Sequence, residues 1–123
     1  MAAILDSNAK AIAQALLDHH RRSCRPVQSS AEITDAVIRR CLVSYDEIIA
    51  LARVNLIPRG MGVPLRAVAR WCVLRDWPPL PSLVVRSDTR KPGDGYENTP
   101  GLSGSWEIDV RECIAFKGYR EKA

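Results

Sequence analysis

Prolines and glycines fall at three places in this chain and divide it into short segments. Pro26 follows the first apolar stretch, the run Pro58 to Gly62 interrupts the middle, and Pro78-Pro79-Leu80-Pro81 follows the next apolar stretch. Proline lacks a backbone N–H and disfavours helical geometry in the residue before it, so helices are expected to end at these sites. The sequence therefore predicts several short helices.

Three helices are expected before the break at Pro58 to Gly62. Apolar residues at steps of three and four, the spacing of one helix face, predict a first helix from Asp6 to about Arg22; they are Ala9, Ile12, Ala13, Leu16 and Leu17. Ser29 and Glu32 have the spacing of a capping box, which predicts a second helix from there to about Leu42. Ser44 and Glu47 repeat the signal and predict a third helix, with a buried side formed by Ile48, Leu51 and Ala52.

A fourth helix and a strand are expected after the central turn. Pro64 suits the first helical position, and an apolar stripe follows it: Leu65, Val68, Ala69, Cys72 and Val73. Arg66 and Arg70 lie on a flank outside this stripe, and the helix must end before Trp77. Leu83-Val84-Val85 predicts a buried strand, and the polar run from Ser87 to Gly95 predicts a wing-like loop.

The last segment is harder to assign. Residues 99–105 are rich in glycine, serine and proline and predict an irregular loop. From Trp106 to Gly118 the apolar residues fit both the helical and the strand period, and a short helix is the preferred interpretation.

Together these elements predict an α+β, mostly helical fold: a winged helix-turn-helix with extra N-terminal helices and a short C-terminal element. A chain of 123 residues suits a single domain. Within 1–123 we expect N-terminal helices over 1–42, the winged helix-turn-helix over 44–96, and a loop with a C-terminal segment over 97–123.

The basic residues are clustered in the chain. The net charge is +4, and one central stretch holds only Asp76 and Asp88 as acids while containing Arg53, Arg59, Arg66, Arg70, Arg75, Arg86, Arg90 and Lys91. In a winged helix-turn-helix one helix enters a DNA groove, and its positive flank and wing contact phosphates. The sequence therefore favours non-catalytic binding of duplex DNA.

Four segments, in order, resemble a known family over about fifty residues. They are Val43-Ser44-Tyr45-Asp46-Glu47-Ile48, Leu65-Arg66-Ala67-Val68, Leu80 to Asp88, and Gly93-Asp94-Gly95-Tyr96. Their order resembles the DNA-binding domain of O6-alkylguanine-DNA alkyltransferases and alkyltransferase-like proteins. The resemblance implies that Tyr45 helps to rotate a nucleotide out of the duplex and that Arg66 fills the gap in the base stack.

The departures from that family concern its chemistry. Where the family has Pro-Cys-His-Arg, this chain has Pro81-Ser82-Leu83-Val84, so the methyl-accepting cysteine and its activating histidine are missing. Serine without a base nearby is a poor nucleophile at neutral pH, which predicts no alkyl transfer and no enzyme activity. The connection between Ala52 and Arg66 is also longer than the family's turn. The expected DNA-binding residues are Tyr45, Arg59, Arg66, Arg70, Arg86, Arg90 and Lys91.

Other functional classes are less well supported by the residues. His19, His20 and Cys24 lack a third and fourth partner for a metal site, and the histidines are expected at the surface of a helix end. Five carboxylates could suggest a nuclease, but their spacing matches no hydrolase pattern; they are Asp88, Asp94, Glu97, Glu107 and Asp109. We expect no cofactor and no metal.

The serious alternative is a protein-interaction or inhibitor module on a winged-helix scaffold. Trp71 or Trp77, if partly exposed, could anchor a protein partner. The four cysteines, at positions 24, 41, 72 and 113, form no Cys-x-x-Cys pair. Two of them occupy apolar positions of predicted helices, where a free thiol is usually a core residue, and a reducing cytoplasm is expected. No apolar stretch is long enough to cross a bilayer, so no membrane partner is expected.

Overall fold

The computed structural model describes residues 6–24, 30–92 and 105–119. Within these residues the helices are α1 (Ser7–Ser23), α2 (Asp35–Cys41), α3 (Tyr45–Ala52), α4 (Gly62–Leu74) and α5 (Trp106–Ala115). The strands are β1 (Val43–Ser44) and β2 (Val84–Val85), and 3₁₀ turns cover Ser30–Glu32, Pro58–Met61 and Leu80–Leu83. The expected α+β, mostly helical class is confirmed.

The first helix forms as its periodicity predicts. Asp6 precedes it, and the Asp6 Oδ1 accepts a hydrogen bond from the Ala9 N–H at 2.8 Å. The apolar face is buried and packs against α3 and α4, so α1 lies at the centre of the hydrophobic core. The C-terminal segment also forms a helix, α5, as preferred from the sequence.

The predicted start of α2 is wrong. Ser30–Glu32 forms only a 3₁₀ turn, and Ser29 lies outside the described residues. The helix begins at Asp35 instead, because Thr34 is extended and its Oγ1 accepts a hydrogen bond from the Val37 N–H at 3.3 Å. Thr34 supplies the N-terminal cap that the sequence analysis assigned to Ser29.

The capping box of α3 is present as expected. The Ser44 Oγ accepts from the Glu47 N–H at 3.1 Å, and the Glu47 Oε1 accepts from the Ser44 N–H at 2.9 Å. The buried side is narrower than predicted, since Ile48 is buried but Leu51 is 47% exposed. The helix ends where Arg53 adopts the left-handed conformation with a φ of 56°.

The fourth helix starts earlier and is rotated relative to the prediction. It begins at Gly62, directly after the 3₁₀ turn Pro58–Met61, so Pro64 is its third residue. Val68, Ala69 and Cys72 are buried as expected, but Trp71 is also buried and Val73 is exposed. The buried stripe includes Trp71 because α4 packs on both α1 and the 3₁₀ turn Leu80–Leu83.

The sheet is a single parallel pair within the described residues. Val43 pairs with Val84 and Ser44 with Val85. The sequence predicted the second strand but not the first. Because the strands are parallel, the chain leaves both of them at the same end of the sheet. It continues from β1 into α3 and from β2 into a tight turn. In that turn the Arg86 N–H donates to the Lys91 carbonyl at 2.8 Å.

Part of the expected wing lies outside the described residues. The turn is described only as far as Pro92, and Gly93-Asp94-Gly95-Tyr96 and the predicted loop at 99–104 fall in the range that is not. No described helix combines the length and the apolar composition that a membrane span requires.

Candidate nucleic-acid interface

Tyr45 and Arg86 are brought together by the parallel strands. Ser44 lies opposite Val85, so Tyr45 and Arg86 are the first residues beyond the two paired strands. Tyr45 begins α3 and is half-buried, whereas Arg86 is exposed. The two residues are 41 positions apart in the chain, and they lie at one edge of the sheet only because β1 pairs with β2.

The arginines of the wing turn lie near carboxylates of the same chain. The Arg86 Nε and Nη2 donate to the two oxygens of Asp88 at 3.1 and 2.9 Å. The Arg90 Nη1 lies 3.8 Å from the Glu47 Oε1. Hydrogen bonds from Arg86 lower the pKa of the Asp88 carboxyl, so this carboxylate stays ionised well below neutral pH. Part of the positive charge of this turn is therefore neutralised within the protein, while Lys91 is exposed.

The arginines of α4 and its preceding connection are in a different situation. Residues 48–75 contain five arginines and no aspartate or glutamate. All five are exposed and none forms an ion pair within the described part of the chain; four of them also make no cation–π contact there: Arg53, Arg59, Arg66 and Arg70. We call these four residues of the acid-free stretch the arginine face; Arg66 and Arg70 among them lie on α4.

Arg66 folds back along its own helix. A Cβ added to Gly62 would lie 3.5 Å from the Arg66 Nη1, so the guanidinium covers the first turn of α4. Arg70 is one helical turn further along. Both side chains belong to the flank that the sequence analysis proposed, although the connection before them is longer than in the family that the chain resembles.

The fifth arginine of this stretch packs against aromatic rings. The Arg75 guanidinium carbon lies 4.4 Å from the ring centroid of Trp71 and 5.8 Å from that of Trp77. Trp71 is only 3% exposed, so its predicted role as an exposed anchor for a protein partner is wrong. Trp77 is half-buried, and its ring packs edge-on against Trp71 and Tyr119. This aromatic packing joins the end of α4 to the segment after α5.

Ser82, which replaces the reactive cysteine of the family, is fully buried. Its carbonyl accepts a hydrogen bond from the Trp106 Nε1 at 2.8 Å. Its hydroxyl makes no well-formed hydrogen bond among the described residues, although the Cys113 thiol faces it. Burial raises the pKa of the Cys113 thiol to about 12, so that group stays protonated at neutral pH. No basic group positions either side chain as a nucleophile in the described structure.

The expectation of surface histidines is wrong for His20, and His19 is half-buried. His20 is buried, and its Nε2 lies 2.8 Å from the Cys113 carbonyl oxygen. The His19 Nε2 lies 2.7 Å from the Cys41 carbonyl oxygen. Burial lowers the pKa of both histidines, and the hydrogen bonds to these carbonyls oppose the shift only in part. The two rings connect the end of α1 to α2 and α5.

The other candidate ligands do not assemble into a site. Within the described residues no three histidine, cysteine or carboxylate side chains are placed to hold a metal ion. Asp109 is buried on α5, whereas Glu107 and Asp88 are exposed. Asp94 and Glu97 lie outside the described residues. All four cysteines are buried free thiols, more than the two that the helical pattern placed in the core.

Comparisons with models of protein families, with curated proteins and with solved structures found no match to this chain.

Proposed function

We propose that this protein binds duplex DNA without catalysis, in the manner of a winged helix-turn-helix. In this proposal α3 and α4 are the two helices of the motif, and the turn after β2 is the start of the wing. The observation that carries the proposal is the arginine face, where four exposed arginines have no ion-pair partner in the described structure. A cluster of exposed arginines without acidic partners is the usual electrostatic footprint of a protein that contacts phosphates.

In this proposal the two basic regions contribute differently to DNA binding. Arg59, Arg66 and Arg70 carry free charge for phosphate contacts along the groove. Arg86 and Arg90 are held by Asp88 and Glu47, so they contribute shape and position more than net charge.

The first test measures the affinity for a random 20-bp duplex as a function of salt. Binding through phosphates releases counterions, so the affinity is expected to fall steeply as salt rises. Arg66→Ala and Arg70→Ala are each expected to reduce the slope of log affinity against log salt by about 1. Arg39→Ala, an exposed arginine on α2, is the matched control and is expected to leave the slope unchanged. Affinity that is absent at low salt, or that does not vary with salt, would contradict the proposal.

The resemblance to alkyltransferase-like proteins adds a narrower proposal, that the protein recognises distorted or damaged duplexes. Tyr45 and Arg66 would take the nucleotide-rotating and gap-filling roles, with Ser82 excluding alkyl transfer. A duplex with one mismatched pair is then expected to bind more tightly than a matched one, because an unpaired base costs less to extrude. Arg66→Ala should remove that preference. Equal binding of both duplexes by the wild-type protein would contradict this narrower proposal and leave general DNA binding intact.

A further inference from the structure

Two strongly exposed aliphatic side chains lie in the same stretch of chain as the arginine face, between Arg53 and Arg66. Ile57 is 64% exposed and Val63 is 67% exposed, the highest values among the large apolar residues that the structure describes. Most of the surface of each residue is therefore outside the core. Burial of two such side chains against a partner would be favourable.

These two residues form a row with a glycine between them. Ile57, Gly60 and Val63 are three positions apart, and the 3₁₀ turn Pro58–Met61 lies between the outer two. Ile57 is the extended residue before this turn and Val63 is the second residue of α4, so the two exposed aliphatic side chains flank the turn, and Gly60 leaves a gap between them in the chain. All three residues are exposed. We call this row the aliphatic pair.

The fold does not require a glycine in the gap. A Cβ added to Gly60 would meet only the Leu56 Cδ2, at 4.0 Å, and Gly60 does not adopt a positive φ. Most glycines without such constraints weaken a fold slightly relative to alanine. A methyl group at this exposed site would therefore meet almost free space, which makes Gly60→Ala a usable probe of the surface.

The surroundings of the aliphatic pair are positively charged. Arg59 lies within the row, and the Arg66 guanidinium covers the neighbouring Gly62. No acidic residue occurs between positions 48 and 75. A partner that offers both negative charge and apolar surface would match these residues. Duplex DNA offers both where a base step opens, because phosphates flank the exposed faces of the bases.

We propose that the aliphatic pair enters a DNA groove as a wedge and packs against the bases of an opened step. The protein therefore binds bendable duplexes more tightly than stiff ones. This inference rests on the DNA binding proposed above. Pyrimidine–purine steps such as TA open and kink easily, whereas A-tracts are stiff. The substrate class is therefore duplex DNA with a flexible TA step, read through deformation rather than through hydrogen bonds to bases.

The experiment compares two 20-bp duplexes of equal base composition, one with central TA steps and one with an A-tract. Affinity is measured by fluorescence anisotropy, and bending by energy transfer between dyes at the duplex ends. The wild-type protein is expected to prefer the TA duplex and to bend it. Ile57→Thr and Val63→Thr are each expected to lower the affinity for the TA duplex about fivefold, which corresponds to about 1 kcal/mol. They should also reduce bending and leave the A-tract affinity nearly unchanged.

Two further variants separate a wedge from a general loss of apolar surface. Ile108→Thr changes an aliphatic residue of α5 that is 52% exposed, and it is expected to leave both affinities and the bending unchanged. Gly60→Ala places a methyl group in the gap. It is expected to leave the urea midpoint of unfolding unchanged or raised while weakening binding to the TA duplex.

The outcomes distinguish this inference from the proposed function. Salt-dependent binding with equal affinity for the two duplexes and no bending would overturn the wedge and leave DNA binding standing. If Ile57→Thr and Val63→Thr kept the wild-type preference for the TA duplex, the wedge would also be overturned. The aliphatic pair would then be assigned to a protein partner. Absence of binding to either duplex at low salt would overturn both proposals.

Discussion

The arginines of this protein differ in what surrounds each guanidinium. Arg86 holds the Asp88 carboxylate with two hydrogen bonds, whereas Arg66 and Arg70 have no acidic neighbour in the described structure. Sequence alone located all three in the basic stretch but could not distinguish them. Pairing depends on side-chain geometry, and for Arg90 the carboxylate comes from α3, more than forty residues away.

The pairing of Arg86 leads to a prediction for Asp88→Asn. The asparagine Oδ1 can still accept the hydrogen bond from the Thr89 N–H, so the turn should persist while the carboxylate charge that Arg86 binds is removed. We expect tighter DNA binding at low salt and a salt dependence steeper by up to about 1. The control is Asp35→Asn, which makes the same change in net charge on α2. Equal effects of the two variants would show that only net charge matters.

The buried hydroxyl of Ser82 leads to a prediction for the stability of Ser82→Ala. A buried hydroxyl without a good hydrogen bond contributes little stability, because the transfer from water is not compensated. Ser82→Ala is therefore expected to leave the free energy of unfolding unchanged or to raise it by up to about 1 kcal/mol. Urea denaturation monitored by circular dichroism measures the change. A loss of about 2 kcal/mol or more would mean that the Ser82 hydroxyl has a partner that matters.

At the scale of elements, local signals predicted most helices and non-local contacts decided the rest. The capping box Ser44–Glu47 acts within four residues, so it can be seen in the sequence. Which side of α4 is buried depends on α1 and on the turn Leu80–Leu83, so the burial of Trp71 and the exposure of Val73 could not be predicted. The same holds for β1, because a two-residue strand is defined by its partner rather than by its own pattern.

The aliphatic pair shows the same limit for the candidate site. The sequence indicated a turn at Pro58 to Gly62 but not that Ile57 and Val63 stand exposed on either side of it. Apolar residues next to a turn are normally expected in the core. Their exposure follows from the burial of Met61 and Pro64, which fixes the orientation of the turn and of the first residues of α4.

The capping box of α3 can be tested as an element. Ser44→Ala removes the acceptor for the Glu47 N–H at the end of the sheet that Tyr45 and Arg86 follow. We expect a loss of about 1 kcal/mol in the free energy of unfolding, the typical effect of deleting an N-terminal cap. Thermal or urea denaturation, run beside Ser82→Ala, provides the comparison. A Ser44→Ala variant as stable as the wild type would show that the cap does not hold the start of α3.

At the scale of the whole molecule, α1 connects parts of the chain that are distant in sequence. His20 bonds to the Cys113 carbonyl, 93 residues away, and its ring packs edge-on against Tyr119. His19 bonds to the Cys41 carbonyl. The sequence placed these histidines at the surface because they lie near a helix end, and the long-range contacts that bury them leave no local signal.

Burial of the histidines predicts a pH dependence of stability. Both pKa values are lowered in the folded protein, so the unfolded chain binds protons more readily near pH 6.5. The contribution to stability is therefore complete above pH 6.5 and is lost as the pH falls from there through the lowered folded pKa values. We expect a lower urea midpoint at pH 5.5 than at pH 7.5. His20→Gln should reduce this difference in urea midpoint. A His20→Gln variant that keeps the wild-type difference would contradict the assignment of the pH dependence to His20.

The central claim is that the arginine face is the surface that meets DNA. The most direct measurement follows the backbone amide chemical shifts of the labelled protein as a 20-bp duplex is added at low salt. We expect the largest changes over residues 57–70 and 86–91, with little change on α2 and α5. Changes concentrated on α2 or α5, or no changes at all, would contradict the account.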